Sequence, residues 1–170
     1  YYGLDLTGRP MLAELLRRLR EVPGVRWIRL MYLYPMHITD DLIAVLREGE
    51  PIIPYLDLPL QHINDRILKR MKRRVNRREI ETLLARLRES IPGLVLRTTM
   101  IVGFPGETEE EFEELVSFVQ TQRFERLGVF EYSREPGTPA VRLKDHLPRR
   151  VIRVRRERLM AVQQKIAFEF

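Results

Sequence analysis

Residues Gly103, Phe104, Pro105, Gly106, Glu107 and Thr108 form a glycine-bearing break between an apolar run and an acidic helix start. A glycine loop between strand and helix often cradles a phosphate, but neither the Walker pattern nor GxGxxG is present. Thr108 followed by Glu111 instead has the spacing of a capping box, in which both side chains satisfy N–H groups of the helix's own first turn. Glu109, Glu110 and Glu111 add negative charge to the positive end of that helix and would repel an incoming phosphate. An uncharged, flat group such as an adenine ring suits Gly103 and Gly106, because a missing side chain lets it approach the backbone. A tight turn needing positive φ is the other reading of the same glycines.

Asp57 and Arg97 are the other residues placed to do chemistry. In YLDLPLQ, Leu56, Leu58 and Leu60 alternate with Tyr55, Asp57 and Gln61, so one strand face is apolar and the other polar. In LRTTMIVG, Arg97 and Thr99 fall opposite Leu96, Met100 and Val102, with Thr98 on the apolar side and Ile101 on the polar one. Charges on the second face of a covered sheet are costly, so the pattern predicts an open or wide barrel with a wet or ligand-filled interior. A buried Asp57–Arg97 ion pair is the alternative. His37, His62 and His146 lack the i, i+4 spacing of a helical metal pair, and no metal site is expected from them. The chain has no cysteine, which removes disulfides and thiolate ligands from these 170 residues.

The elements that would position these residues alternate along the chain. Leu12, Leu15, Leu16 and Leu19 mark a first helix, and Pro23-Gly24 separates it from a strand in VRWIRLMYLYP. Thr39, Asn64 and Asn76 are N-cap residues for three further helices. LVLRTTMIVGF reads as a long strand and RLGVFEYS as another, with a helix between them whose Phe112, Leu115, Val116 and Val119 share a face. Four strands with helical crossovers and no Asn-Gly hairpin signal predict an α/β fold with a parallel sheet. The last helix, from about Arg149, is amphipathic, with Val151, Val154, Leu159, Val162 and Ile166 as its apolar face.

Composition narrows the function classes. Hydrophobic residues make up 44% and charged residues 32%, a balance suited to a folded domain, and the net charge is +6. No apolar run reaches membrane-spanning length and the N-terminal residues lack the order of a signal peptide, so a cytoplasmic protein without membrane attachment is expected. Arg66, Lys69, Arg70, Lys72, Arg73, Arg74, Arg77 and Arg78 form a basic run that could meet RNA or serve as a solvated helical face.

Four stretches, YYGLDL, YLDLPLQHINDRILKRMKRR, LRTTMIVGFPGETEEEFEEL and FEYSREPGTPA, occur in the order found in the radical S-adenosylmethionine methylthiotransferases, and the chain resembles that family. IRLMYLYP with LDLPLQHINDRIL is most similar to the branch acting on a ribosomal protein; the tRNA branch is second. The resemblance implies the later part of an open (βα)6 partial TIM barrel, with residues 1–148 belonging to the radical core and 149–170 leading toward a further domain. It implies S-adenosylmethionine and 4Fe-4S clusters as cofactors, the cluster cysteines lying upstream, so that this chain alone would be inactive. Carried over, Ile101, Gly103 and Gly106 would meet the adenine, Gln61 the ribose or amino acid part, and Arg97 the cofactor carboxylate. Asp57 would be a cofactor contact or the partner of Arg97, and Tyr132, with Phe130, would line the adenine side or the substrate mouth. The implied reaction adds a methylthio group to the β-carbon of an aspartate in the twelfth small-subunit ribosomal protein. The alternatives are an adenosine of tRNA as substrate, or a non-catalytic basic fragment that binds RNA.

Overall fold

In the computed structural model, which describes residues 2–170, four strands form one parallel sheet in the order β1-β2-β3-β4. The strands are β1 (Ile28–Leu30), β2 (Ile52–Asp57), β3 (Val95–Val102) and β4 (Arg126–Glu131). The helices are α1 (Leu4–Thr7), α2 (Leu12–Arg20), α3 (Asp40–Arg47), α4 (Asp65–Arg70), α5 (Arg77–Ser90), α6 (Glu109–Gln122) and α7 (Arg149–Ala167). Sequential strands lie side by side and are all parallel, so the chain returns through a crossover each time, as the alternating pattern requires.

The helix starts fall where the polar caps predict. Thr39 accepts the Leu42 amide at the start of α3, and Asn64 accepts the amides of Arg66 and Ile67 at the start of α4. Asn76 with Glu79 and Thr108 with Glu111 both complete capping boxes, on α5 and α6. Each such cap is worth about 1 kcal/mol, because it satisfies N–H groups that the helix cannot. In α6 all four expected apolar residues, Phe112, Leu115, Val116 and Val119, are buried.

Along β3 the side chains alternate strictly. Leu96, Thr98, Met100 and Val102 are buried, while Val95, Arg97, Thr99 and Ile101 are half-buried on the opposite, open face. Thr98 fits the apolar side because its hydroxyl donates to the Leu58 carbonyl at 2.8 Å. The open face continues onto the neighbours, where Asp57 pairs in register with Arg97 and Phe130 with Ile101. Helices cover the other face.

Two strands are shorter than the sequence pattern suggests. β1 stops at Leu30, and Tyr32 then takes a left-handed backbone conformation with φ 56°, which breaks the ladder before the short 3-10 turn Pro35–His37. β2 ends at Asp57, and Gln61 rejoins the sheet only through an isolated bridge to Met100, with Pro59 lacking an amide to donate in between. Among the described residues β1 has no strand on its outer side, and Trp27 and Tyr32 beside it are exposed. Such an unpaired edge offers free N–H and C=O groups to another strand.

The face that α7 uses differs from the expected one. Its buried residues are Ile152, Arg155, Leu159, Gln163 and Ile166, whereas Val154 is exposed and Val151 and Val162 are only half-buried. The stripe keeps helical spacing but contains an arginine and a glutamine, each paired inside the protein: Arg155 with Glu107, and Gln163 with the Phe124 carbonyl at 2.8 Å. α7 thereby packs onto β4 and α6.

Candidate functional site at the strand ends

A cavity of about 640 Å³ opens where the C-terminal ends of β3 and β4 meet the segment after β2. Its walls include Gln61, Thr99, Ile101, Phe104, Phe130 and Tyr132, with Arg70, Lys72 and Arg73 on one rim and Ser133, Glu135, Thr138, Pro139 and Ala140 on the other. The volume lies within the range of roughly 300–1,000 Å³ that holds small ligands, and the mix of apolar wall and few polar groups is what such sites show. In parallel α/β sheets and barrels, sites sit at this end of the strands.

Gln61 owes its place to an unusual backbone. With φ 76° it turns the chain after β2, its amide donates to the Thr99 carbonyl at 2.9 Å, and its carbonyl accepts the Ile101 amide at 2.8 Å. A left-handed glutamine is strained by about 1 kcal/mol or more, and the two hydrogen bonds hold it there. Its Oε1 is buried and has no hydrogen-bond partner among the described residues; the same is true of the Tyr132 hydroxyl. Burial pushes the Tyr132 phenol above its ordinary pKa, with Arg134 acting the other way. The Tyr132 ring is fixed edge-on by Phe104 at 5.3 Å and stacked on His146 at 5.8 Å. Two orphaned polar atoms in the residues of one mostly apolar cavity invite a ligand with hydrogen-bonding groups and a flat body.

Three of the expected site residues therefore come together: Gln61, Ile101 and Tyr132. Asp57, Arg97, Gly103 and Gly106 do not line this cavity. Arg97 Nη1 reaches Asp57 Oδ2 at 3.3 Å, and that same oxygen accepts the Tyr32 amide, so the ion-pair alternative describes their arrangement. The open space expected beside Gly103 and Gly106 is filled from within the chain. A Cβ on Gly103 would lie 2.5 Å from Ile152 Cγ1, and one on Gly106 would run into the Asp145 carboxylate and lie 3.1 Å from an Arg70 nitrogen. Both glycines have positive φ, and their missing side chains make room for α7 and the Asp145 loop instead of a flat ligand. The tight-turn reading of these glycines holds.

Lys72, Arg73, Phe104 and the 133–140 segment were not singled out as site residues. The run FEYSREPGTPA contained the last of these, but no side-chain pattern marks a loop that closes over a strand end. Lys72 sits in the left-handed region with φ 57°, between α4 and α5, which turns the rim toward the cavity. Arg73 donates to the Pro59 carbonyl at 2.6 Å and lies 4.4 Å over the Tyr34 ring, and its burial lowers its pKa.

Apart from Arg73, the basic run divides in two. Arg66 pairs with Glu111, Arg70 with Asp145, and Arg77 with Glu81 and Glu114, so these three are structural. Lys69, Lys72, Arg74 and Arg78 are exposed and make no ion pair among the described residues.

A parallel sheet with helical crossovers and a ligand-sized cavity at the C-terminal ends of its strands is the architecture of α/β proteins of the open-sheet and barrel type. The Radical SAM superfamily model matches residues 1–119, and the chain belongs to that superfamily. It is 54% identical over 168 residues, 99% of its length, to the ribosomal protein uS12 methylthiotransferase RimO of Lachnoclostridium phytofermentans. It is 55% identical over 166 residues to the protein of that name from Anaeromyxobacter sp. strain K. The chain spans 38% and 35% of those two relatives. Among solved structures, coproporphyrinogen III oxidase from Escherichia coli, described as a radical SAM enzyme, superposes with a TM-score of 0.65 at 25% identity over 92% of this chain and 35% of that one. The radical S-adenosylmethionine methyltransferase TsrM from Kitasatospora setae, at 19% identity and a TM-score of 0.57, covers 76% of this chain and 26% of its own, and shares the fold.

The residues present fit one of the family's cofactors and not the other. Orphaned Gln61 Oε1 and Tyr132 Oη beside Ile101, Phe104 and Phe130 suit a nucleoside-bearing molecule such as S-adenosylmethionine. An iron–sulfur cluster held by thiolates has no ligand here, since the chain contains no cysteine.

Proposed function

We propose that this chain forms the cofactor-binding wall of a radical S-adenosylmethionine methylthiotransferase acting on an aspartate β-carbon of ribosomal protein uS12. The observation that carries this reading is that Gln61 and Tyr132, each with a buried and unpartnered side-chain oxygen, both line an apolar cavity at the strand ends of a chain at least half identical to proteins of that name. Gln61 would meet the ribose or amino acid part and Tyr132 a polar edge of the ligand, with Ile101, Phe104 and Phe130 against the adenine. Lys72 on the rim would face the carboxylate, in place of Arg97, whose charge is taken up by Asp57. The cofactor pair, S-adenosylmethionine and a 4Fe-4S cluster, supplies radical hydrogen abstraction and the methyl group. The cluster's cysteines would come from outside these residues. The cavity wall's part is to bind and orient the first of the two and to exclude water around it.

The three other unpaired cations of the basic run, Lys69, Arg74 and Arg78, would contact RNA phosphates, which suits a substrate embedded in a ribonucleoprotein and also keeps tRNA as the second reading. A cytoplasmic location goes with either, and no helix among the described residues is long and apolar enough to cross a membrane. The deciding experiment compares methylthio marks on uS12 and on tRNA in cells with and without the full-length gene. Loss from uS12 alone is expected. Loss from tRNA alone would overturn the protein substrate.

A further inference from the structure

Glu131 and Tyr132, at the end of β4 and just beyond it, line two cavities. The first is the one described above. The second is a recess of about 650 Å³ whose walls also include Arg134, His146, Arg149 and Ile152. Its aromatic part is held in place: the Tyr132 and His146 rings stack at 5.8 Å with 29° between their planes, and His146 Nε2 lies 3.3 Å from the Val141 carbonyl. Arg134 and Arg149 reach the recess from separate segments, one following β4 and the other opening α7. Both are exposed, and neither side chain has an ion pair or hydrogen bond among the described residues. Farther along α7 the arginines are used differently, Arg155 pairing with Glu107 and Glu109, and Arg158 with Glu113. Glu131 brings a carboxylate to the same recess and is likewise exposed and unpaired.

These groups make different demands on one ligand. Two guanidinium groups in one recess repel each other, and a phosphate that accepts from both relieves the repulsion. The Glu131 carboxylate would repel a bare phosphate, and it can only accept hydrogen bonds. A ligand that suits both therefore carries an anion at one end and hydroxyl donors beside it, and the stacked rings add a wall for a flat group. A ribonucleotide combines all three. We propose that this recess binds one nucleotide of single-stranded RNA, with its phosphate on Arg134 and Arg149, its ribose 2′-hydroxyl on Glu131 and its base against His146. The 2′-hydroxyl is what separates RNA from DNA, so Glu131 carries that choice. The site is distinct from the basic run of α4 and α5, and it stands whether or not the first cavity holds S-adenosylmethionine.

The test uses the full-length protein that contains this chain, with fluorescein-labelled uridine and deoxyuridine decamers followed by anisotropy. Uracil keeps the probe away from a cavity suited to adenine. The parent should bind the RNA several-fold more tightly than the DNA. Arg134→Gln with Arg149→Gln should weaken RNA binding about tenfold and lower the slope of log affinity against log salt by about 0.7, the share of one phosphate on a single strand. Glu131→Leu should abolish the preference for RNA, weakening the RNA and leaving the DNA unchanged or tighter. All three side chains are exposed, so melting temperatures should stay at the parental value. A decamer carrying 4-thiouridine should crosslink under ultraviolet light to the peptide holding Tyr132 or His146. Equal parental affinity for the two decamers would overturn the proposal, as would a double-glutamine protein with parental affinity and salt slope, or an RNA preference that survives Glu131→Leu. Uridine monophosphate that binds through these residues while the RNA decamer does not would make the ligand a free nucleotide and overturn the RNA strand.

Discussion

Arg97 and Asp57 are register partners on adjacent parallel strands, and their side chains meet at 3.3 Å on the open face of the sheet. Asp57 is 1% exposed in its side chain and Arg97 34%, so removing one partner has unequal consequences. Arg97→Ala leaves a buried carboxylate whose Oδ1 already lacks a hydrogen-bond partner among the described residues. The expected cost is about 1–2 kcal/mol, below the cost of breaking a fully buried pair because water reaches the arginine. Arg97→Lys should recover part of it. Urea denaturation of the full-length protein measures both, and an Arg97→Ala protein as stable as the parent would show that the pair holds nothing.

Gln61 separates backbone strain from ligand binding. Glycine adopts φ 76° freely, so Gln61→Gly should leave stability unchanged or raise it by up to about 1 kcal/mol. The same change removes the orphaned Oε1 and should weaken S-adenosylmethionine binding several-fold. Calorimetric titration beside a thermal melt distinguishes the two effects; a joint loss of both would mean that the side chain is structural.

Tyr132→Phe removes a buried hydroxyl that has no partner. Stability of the ligand-free protein should be equal or slightly higher, because an unsatisfied buried group is a cost. Ligand affinity should fall by about 1 kcal/mol, a factor of roughly five. Unaltered affinity would place the ligand away from this hydroxyl.

Gly103→Ala adds a methyl group that meets Ile152 and forces a left-handed alanine at φ 75°. A loss of more than about 2 kcal/mol is expected, combining overpacking and backbone strain. Adding Ile152→Ala should return only the steric part, so the double-mutant cycle would show favourable coupling. Strict additivity in chemical denaturation would count against the contact.

Glu111 makes stability depend on acid. Burial alone would raise its pKa, but the Arg66 guanidinium and the Thr108 amide outweigh burial and hold it below the ordinary value of 4.5. A carboxyl whose folded pKa is depressed contributes stability that is full above its unfolded pKa and is lost as pH falls through the folded one. Denaturation midpoints should therefore drop below about pH 4.5, and Glu111→Gln should flatten that part of the profile. An unchanged acid limb would mean that the pair with Arg66 does not persist in solution.

Much of the fold follows from local rules that the residues display openly. Thr39, Asn64, Asn76 and Thr108 cap the helices they precede, and the alternation from Leu96 to Val102 gives both faces of β3. The place of Gln61 in the cavity wall was legible, because it closes an apolar strand at its C-terminal end, and the surroundings of Gly103 and Gly106 were less so. Whether a glycine's hollow receives a ligand or a side chain depends on what arrives there, and Ile152 and Asp145 come from far along the chain. The face of α7 was misread for a related reason. Arg155 and Gln163 look like solvent-facing residues until Glu107 and the Phe124 carbonyl are seen to receive them. Glu107 itself was hidden among neighbouring glutamates whose task is to cap a helix.

The seating of α7 also has a meaning in time. Ribosomes release a chain from its N-terminus, and the strands carrying Gln61 and Ile101 emerge well before Arg155 and Ile152. Until they arrive, Gly103 faces an empty hollow and Glu107 has no guanidinium to neutralise it. The nascent sheet can pair its strands early, but the Gly103 turn is packed late, on the arrival of a single helix.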